Sequence, residues 1–331
     1  MTCTRRQALV RLGTTSLALG AARVEAATQV QAFPERPMRL ITPYAAGGST
    51  DALARSLADG LRGALGQSVI VDNKPGANTA VGAQAAAAAV PDGYTLLICT
   101  GATVVLNPLL SPRLSYNPER DLAPVSRVAV TPLVLAVNPK VPANSLAELI
   151  ALAKANPGKL NYASTGLGST PHLASAFLES SAAIDMTHIP YNGSNPAILA
   201  TIAGDVQIIV DAIGSSLPHI KAGKLRALAV MTPERLTVLP DVPSVAESGF
   251  PGFDVSAWFG IMAPAKTPPE IIARLNEAIG KTLQDGTFRE RYEALGLLVV
   301  APSSAQAFGS YIRAEREKWG PVVKAKRIVL E

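Results

Sequence analysis

Apolar positions along this chain change period repeatedly, and the changes fall at glycine and proline. From Asp51 onward Leu53, Ala54, Leu57, Ala58, Leu61 and Leu65 recur at helical spacing, with Arg55, Asp59 and Arg62 on another face. Residues 39–42 ahead of that stripe read as a first strand, and Pro43-Tyr44-Ala45-Ala46-Gly47-Gly48 as the loop after it. Residues 68–71 predict a second strand, Lys74-Pro75-Gly76 a turn, then an Ala-rich helix to about Val90. Pro91-Asp92-Gly93 ends that helix, and residues 94–99 form a buried third strand. Strands alternating with helices at this spacing predict a mostly parallel sheet covered on both faces, an α/β fold.

A strand over residues 132–139 lies between proline-rich segments, where the chain is expected to cross into a second lobe. Ser145 caps a helix through Ala155, stopped by Asn156-Pro157-Gly158. Residues 160–163 are a strand, followed by a helix with Pro171 at its first position and Leu173, Ala174, Phe177 and Leu178 as its buried stripe. Another helix runs from about Asn192 to Gly204, with strands at 206–211 and 225–230. Residues 255–262 look like the return crossing, and helical patterns at 269–284, 288–295 and 304–319 are expected to pack back on the first lobe. At 331 residues the chain is long enough for two domains with separate cores. The expected division is 27–135 plus 257–331 for lobe one and 136–256 for lobe two.

Two of the strand-to-helix junctions say nearly the same thing. Gly48-Ser49-Thr50-Asp51-Ala52-Leu53-Ala54 and Gly168-Ser169-Thr170-Pro171-His172-Leu173-Ala174 share GST-x-x-LA, 120 residues apart. That offset is far too long for a solenoid repeat and suits one copy on each lobe. A Gly-rich turn opening a helix presents backbone N–H groups and the positive end of the helix dipole. Taken singly, Ser or Thr before a helix is most often only a cap. Duplicated, and each after a strand, the pair predicts anion-binding turns on the two sides of a cleft. Neither loop contains Lys or Arg, so a carboxylate would be held by backbone N–H groups and hydroxyls.

Charge and composition narrow the classes. The formal charge is +5, but Arg5, Arg6, Arg11 and Arg23 against Glu25 place +3 in residues 1–26 and leave +2 for the rest. No basic run interleaved with aromatics supports a nucleic-acid face. Residues 1–26 have the basic start, short apolar centre and small-residue end of an export signal. Thr4-Arg5-Arg6-Gln7-Ala8-Leu9 is a twin-arginine pattern, with Ala8 where a bulky residue is usual, so the general secretory route stays open. Cleavage near Ala26 would leave a soluble periplasmic protein with one thiol, Cys99, in a strand where a small core hydrophobe is expected.

Catalytic patterns are sparse. His172, His188 and His219 fall at no metal-ligand spacing, and no Gly-x-Ser-x-Gly elbow is present. Ser169, His172 and Asp211 could be imagined as a triad, but His172 lies only three residues after Ser169 on one helix start. No enzyme activity, cofactor or metal is expected. Thr100 and Asp211 end predicted strands; Asp211 could receive a ligand group or serve as a cap or structural acceptor. Tyr44 and Tyr191 could line the cleft or simply pack beside turns. Asp51 is expected to serve its helix start.

Taken together these segments resemble the periplasmic substrate-binding proteins of tripartite tricarboxylate transporters, often called Bug proteins. The carriers include Pro43 to Asp51, Asp72-Asn73-Lys74-Pro75-Gly76-Ala77, Pro91 to Leu97, Asn156 to Tyr162, Pro190-Tyr191-Asn192-Gly193, Leu217 to Val230 and Leu239-Pro240-Asp241-Val242-Pro243. The resemblance covers about Pro37 to Lys324. It implies a Venus-flytrap protein, two α/β lobes joined by crossing strands, closing on a small carboxylate and delivering it to a membrane permease as a monomer. It further implies that Tyr44, Ala46, Gly47, Gly48, Ser49 and Thr50 on one lobe, and Thr165, Gly168, Ser169, Thr170 and His172 on the other, surround the ligand, and that Asp211 takes part in selection. After Pro75-Gly76-Ala77 the chain has Asn78-Thr79 where the family usually has a glycine pair, a departure expected to alter this loop and the ligand contact expected at Asn78. A sensor docking on a signalling partner is the alternative to permease delivery.

Overall fold

The computed structural model describes residues 33–47, 49–294, 296–326 and 328. The export signal expected over residues 1–26, Gly48, and Leu295 at the end of an expected helix lie outside the described residues. Ten strands share one sheet in the order β2-β1-β3-β9-β4-β7-β5-β6, with β8 and β10 also pairing β4. They are β1 (Met38–Thr42), β2 (Val69–Asn73), β3 (Thr95–Thr100), β4 (Leu122–Val137), β5 (Asn161–Ser164), β6 (Thr187–Pro190), β7 (Ile208–Ala212), β8 (Arg226–Val230), β9 (Ser256–Pro264) and β10 (Leu298–Val299). The outer strands are parallel, as the strand–helix alternation predicts, while β9 and β4 run antiparallel to their neighbours.

That antiparallel pair makes the molecule two-lobed. Residues 122–132 of β4 pair with β9, and residues 133–137 pair with β7, so one strand belongs to both lobes. The sequence pattern exposes only the second half of β4. Pro124 hides the first half, but it sits where the register with β9 slips, and a bulge accommodates a residue that cannot donate to the ladder. Strand β6, the helix Ile213–Lys221 and the π-helical turn Ala102–Leu106 are likewise additions to the predicted elements.

The helices are α1 (Ser49–Leu65), α2 (Ala80–Ala87), α3 (Asn107–Leu110, continuing the π-helix), α4 (Pro118–Asp121), α5 (Leu146–Ala155), α6 (Thr170–Ala182), α7 (Ser194–Ala203), α8 (Ile213–Lys221), α9 (Pro269–Gln284), α10 (Gly286–Ala294) and α11 (Ala305–Lys326). Ser145 caps α5 by accepting from the Glu148 N–H at 3.2 Å. With Ser169 as the N-cap of α6, Pro171 occupies the second helical position rather than the first, still within the turn whose N–H groups have no helical acceptor.

Alternate residues of β3 face opposite layers. Leu96 and Ile98 join Leu40, Leu53, Leu57 and Leu61 under α1, while Leu97 and Cys99 join the layer of Trp258, Phe308 and Trp319. Burial pushes the Cys99 thiol far above its usual range, consistent with the core role expected of it. Helix α11 runs past Trp319 to Lys326 and packs on both lobes. The Trp319 ring meets Phe177 of α6 edge-on at 5.9 Å, and Lys326 Nζ lies 3.3 Å from the buried Glu179 carboxylate. At the crossing itself, the indole N–H groups of Trp258 and Trp319 both donate to Glu315 Oε2, at 3.1 and 3.2 Å.

Candidate functional site

Register brings the strand ends of both lobes to one place. Thr100 at the end of β3 is level with Phe259, which pairs with Ala129 of β4. Four residues on, Leu133 of β4 pairs with Ala212 at the end of β7. The loops leaving β1, β3, β5 and β7 therefore border the stretch 129–133 of the shared strand, the position where open α/β sheets bind ligands.

On the first lobe the loop after β1 is held from beneath. Asp51, 4% exposed, accepts the Gly47 N–H and Arg55 Nε at 2.9 Å each through Oδ2, and Asn73 Nδ2 at 2.9 Å through Oδ1. The Arg55 bond and the Gly47 N–H hold this carboxyl at about 2, so it is ionised and its charge is engaged within the loop. It serves the helix start, as expected, and Asn73 extends the clamp by donating to the Tyr44 carbonyl at 3.1 Å. Ala46 and Gly47 are exposed, and Gly47 needs its glycine for φ +85°. Tyr44 and Thr100 are joined hydroxyl to hydroxyl at 3.0 Å, with Thr103 a further 3.3 Å from Thr100, and burial raises the Tyr44 phenol. Thr50 is buried in the first turn of α1, which Ser49 begins.

The second GST turn is built the same way with different chemistry. Gly168, at φ +72°, donates its N–H to His172 Nδ1 at 3.1 Å, four residues ahead, as Gly47 does to Asp51. Ser169 Oγ donates to the Gly166 carbonyl at 2.7 Å and accepts the His172 N–H at 3.4 Å. Among the described residues the N–H groups of Leu167 and Thr170 have no protein acceptor. Thr165 and Thr170 are half-buried, and Leu167 is exposed beside them. His172 therefore lies beneath the turn, 5% exposed, supporting it. Its ring stacks on His188 at 3.8 Å and 9°, and His188 stacks on Tyr162 at 4.9 Å. His188 Nε2 meets Ser164 Oγ at 2.7 Å, and that hydroxyl accepts the Gly166 N–H at 3.2 Å. Burial, with the facing His188 and Lys326 adding to it, pushes His172 down to about 3; burial pushes His188 down to about 4.

Asp211 is fully buried, with Oδ1 accepting from Ser194 Oγ at 2.7 Å and Oδ2 from Ser216 Oγ at 3.1 Å. It links the first turns of α7 and α8, and burial raises its pKa. Of the two roles open to it from sequence, this is the structural acceptor's position. Tyr191 is half-buried against the second turn, its N–H donating to the Ser164 carbonyl at 3.1 Å. Asn78 sits on a separate bend between β2 and α2, exposed. Asn73 and His188 were given no supporting role from sequence because each is brought to its loop from another strand, and Ser164, the last residue of β5, because a serine two residues before a turn carries no distinguishing signal. Among the described residues no group of three His, Cys, Asp or Glu could hold a metal.

The arrangement has turns on both lobes, hydroxyls from Tyr44, Thr100, Ser169 and Thr170, and no lysine or arginine within the loops. It can bind an anion through backbone N–H groups and helix dipoles, each dipole worth on the order of 0.3–1 kcal/mol and more when desolvated.

Known proteins agree with this architecture. The model of the tripartite tricarboxylate transporter family receptor, TctC, matches residues 53–328. Protein BugT of Bordetella pertussis is 40% identical over 309 residues, 92% of this chain and 94% of BugT. A protein of R. palustris solved with adipate superposes with TM-score 0.78 at 33% identity, covering 90% of this chain and 99% of that one. MatC from Rhodopseudomonas palustris, solved with bound malate, gives TM-score 0.74 at 33% identity over 88% of this chain and 100% of its own. The chain belongs to the TctC family of periplasmic solute-binding receptors.

Proposed function

We propose that this protein captures a small carboxylate between its two lobes and delivers it to the permease subunits of a tripartite tricarboxylate transporter. The observation that carries the reading is the register that brings the ends of β1 and β3 in one lobe and of β5 and β7 in the other to face each other at the level of residues 129–133 of β4, with no lysine or arginine in either turn. Relatives solved with adipate and with malate support a carboxylate as the ligand class. Tyr44, Ala46, Gly47, Gly48, Ser49, Thr50 and Thr100 would meet the ligand from one side, and Thr165, Gly168, Ser169, Thr170 and Tyr191 from the other. His172 and Asp211 act from beneath. The lobes divide at about residues 135 and 257, and hinge closure about β4 and β9 signals occupancy to the permease. Export to the periplasm with cleavage near Ala26, and action as a monomer, belong to the same reading.

Calorimetry of the mature protein against mono-, di- and tricarboxylates and acidic amino acids tests it. At least one acid should bind and raise the melting temperature; silence across the panel refutes the proposal. Membranes containing the permease should take up that acid only when this protein is added, and uptake without it would refute the delivery step.

A further inference from the structure

The bend between β2 and α2 is under an unusual backbone constraint. Ala77, Asn78 and Thr79 have φ of 44°, 45° and 77°, although none is glycine and Thr79 is β-branched. Three such residues in succession form a left-handed turn that L side chains resist, so surrounding structure must hold it. Asn107 does so from the start of α3. Its amide Nδ2 donates to the Asn78 carbonyl at 2.6 Å and lies 3.3 Å from Thr79 Oγ1, while its Oδ1 accepts from Asn78 Nδ2 at 2.7 Å. Asn107 is 2% exposed.

The clamp is continuous with the ligand loops. Asn107 also approaches the Tyr116 hydroxyl, which donates to the Thr103 carbonyl, and Thr103 shares its hydroxyl contact with Thr100 and so with Tyr44. The carrier of this chain is the π-helical turn Ala102–Leu106, a form concentrated at functional sites. From the other flank, Gly82 of α2 packs so closely that a Cβ there would lie 2.7 Å from Pro43 Cβ. The turn is thus tied to the β1 loop on two sides while its Asn78 side remains exposed.

We infer that Asn107 is a positioning residue for ligand selection: it holds Ala77-Asn78-Thr79 in the left-handed form as a third wall of the cleft, against which the remote end of the bound acid is read. This rests on the carboxylate reading above. Four proteins test it by calorimetry with adipate and malate: the wild type, N107A, N78G/T79G, and the triple variant. Loss of the clamp should weaken the better-bound acid by about tenfold and change the adipate-to-malate ratio. Glycine at 78 and 79 removes the resistance to positive φ, so the triple variant should regain affinity although the hole left by Asn107 remains. A merely structural Asn107 leaves the triple variant as weak as N107A, and that result overturns the inference, as does wild-type affinity and ratio in N107A. If N107A does not fold, N107D keeps the volume but cannot donate to the Asn78 carbonyl, and the same expectations apply. Wild-type protein that binds no acid instead removes the carboxylate reading and this inference with it.

Discussion

Mild acid should loosen this protein through the histidine stack beneath the second turn. Both rings are held neutral, His172 at about 3 and His188 at about 4, chiefly by burial. The unfolded chain takes up protons as pH falls through about 6.5 while the native state does not, so stability present above about 6.5 is lost on acidification. At pH 5.5, one unit below the free value, each ring costs about 1.4 kcal/mol, and the pair about 3 kcal/mol. The carboxylates held low by ion pairs act below this window. Asp51 and Asp121, held at about 2 by Arg55 and Arg120, give up their contribution only below about 4. The buried Asp211, Glu179 and Asp254 are shifted upward by burial, so they act in the opposite direction and offset part of the loss. The assay is urea unfolding of ligand-free protein at pH 7.5, 6.5 and 5.5. With a slope of about 3 kcal/mol/M, the midpoint should fall by about 1 M. His188→Phe, which keeps an aromatic ring in the stack, should halve the drop. A midpoint that stays level across the window, or a full drop in the Phe variant, would refute the reasoning.

Asp211→Asn should alter which acids bind more than whether they bind, and an unchanged panel removes Asp211 from selection. Asp211→Ala strands the Ser194 and Ser216 hydroxyls and should cost about 1–3 kcal/mol in urea unfolding. Asp51→Ala frees the Gly47 N–H, Arg55 and Asn73 together; ligand affinity measured by calorimetry should drop, and full affinity would mean the β1 loop needs no clamp. Gly260→Ala places a Cβ 2.1 Å from Phe308 Cζ, where α11 meets β9. Overpacking there should destabilise by about 1–3 kcal/mol, read as a lower melting temperature with unchanged far-UV circular dichroism.

The local periodicities of the chain determined most of its elements. Leu53, Leu57 and Leu61 at helical spacing define α1, and Ser145, Gly204 and the Pro-Gly breaks mark helix ends, because these signals are carried by neighbouring residues. The duplicated GST turns were legible for the same reason, and so was the family. What lies between distant segments was not. The first half of β4 looks like a proline-interrupted loop until β9 supplies its hydrogen-bonding partner. His172 reads as one more residue near a turn until folding stacks it on His188, from a strand beyond α6, and gives it the Gly168 N–H. Asp211, a plausible ligand group at a strand end, is enclosed once Ser194 and Ser216 arrive from two helices. Asn107 had no sequence signal at all, since its worth depends on the left-handed turn it faces 29 residues earlier. Short-range order follows from side-chain spacing and φ/ψ preference, which the sequence states directly. Which polar groups find partners, and which are left for a ligand, depends on long-range contacts that only the folded chain makes.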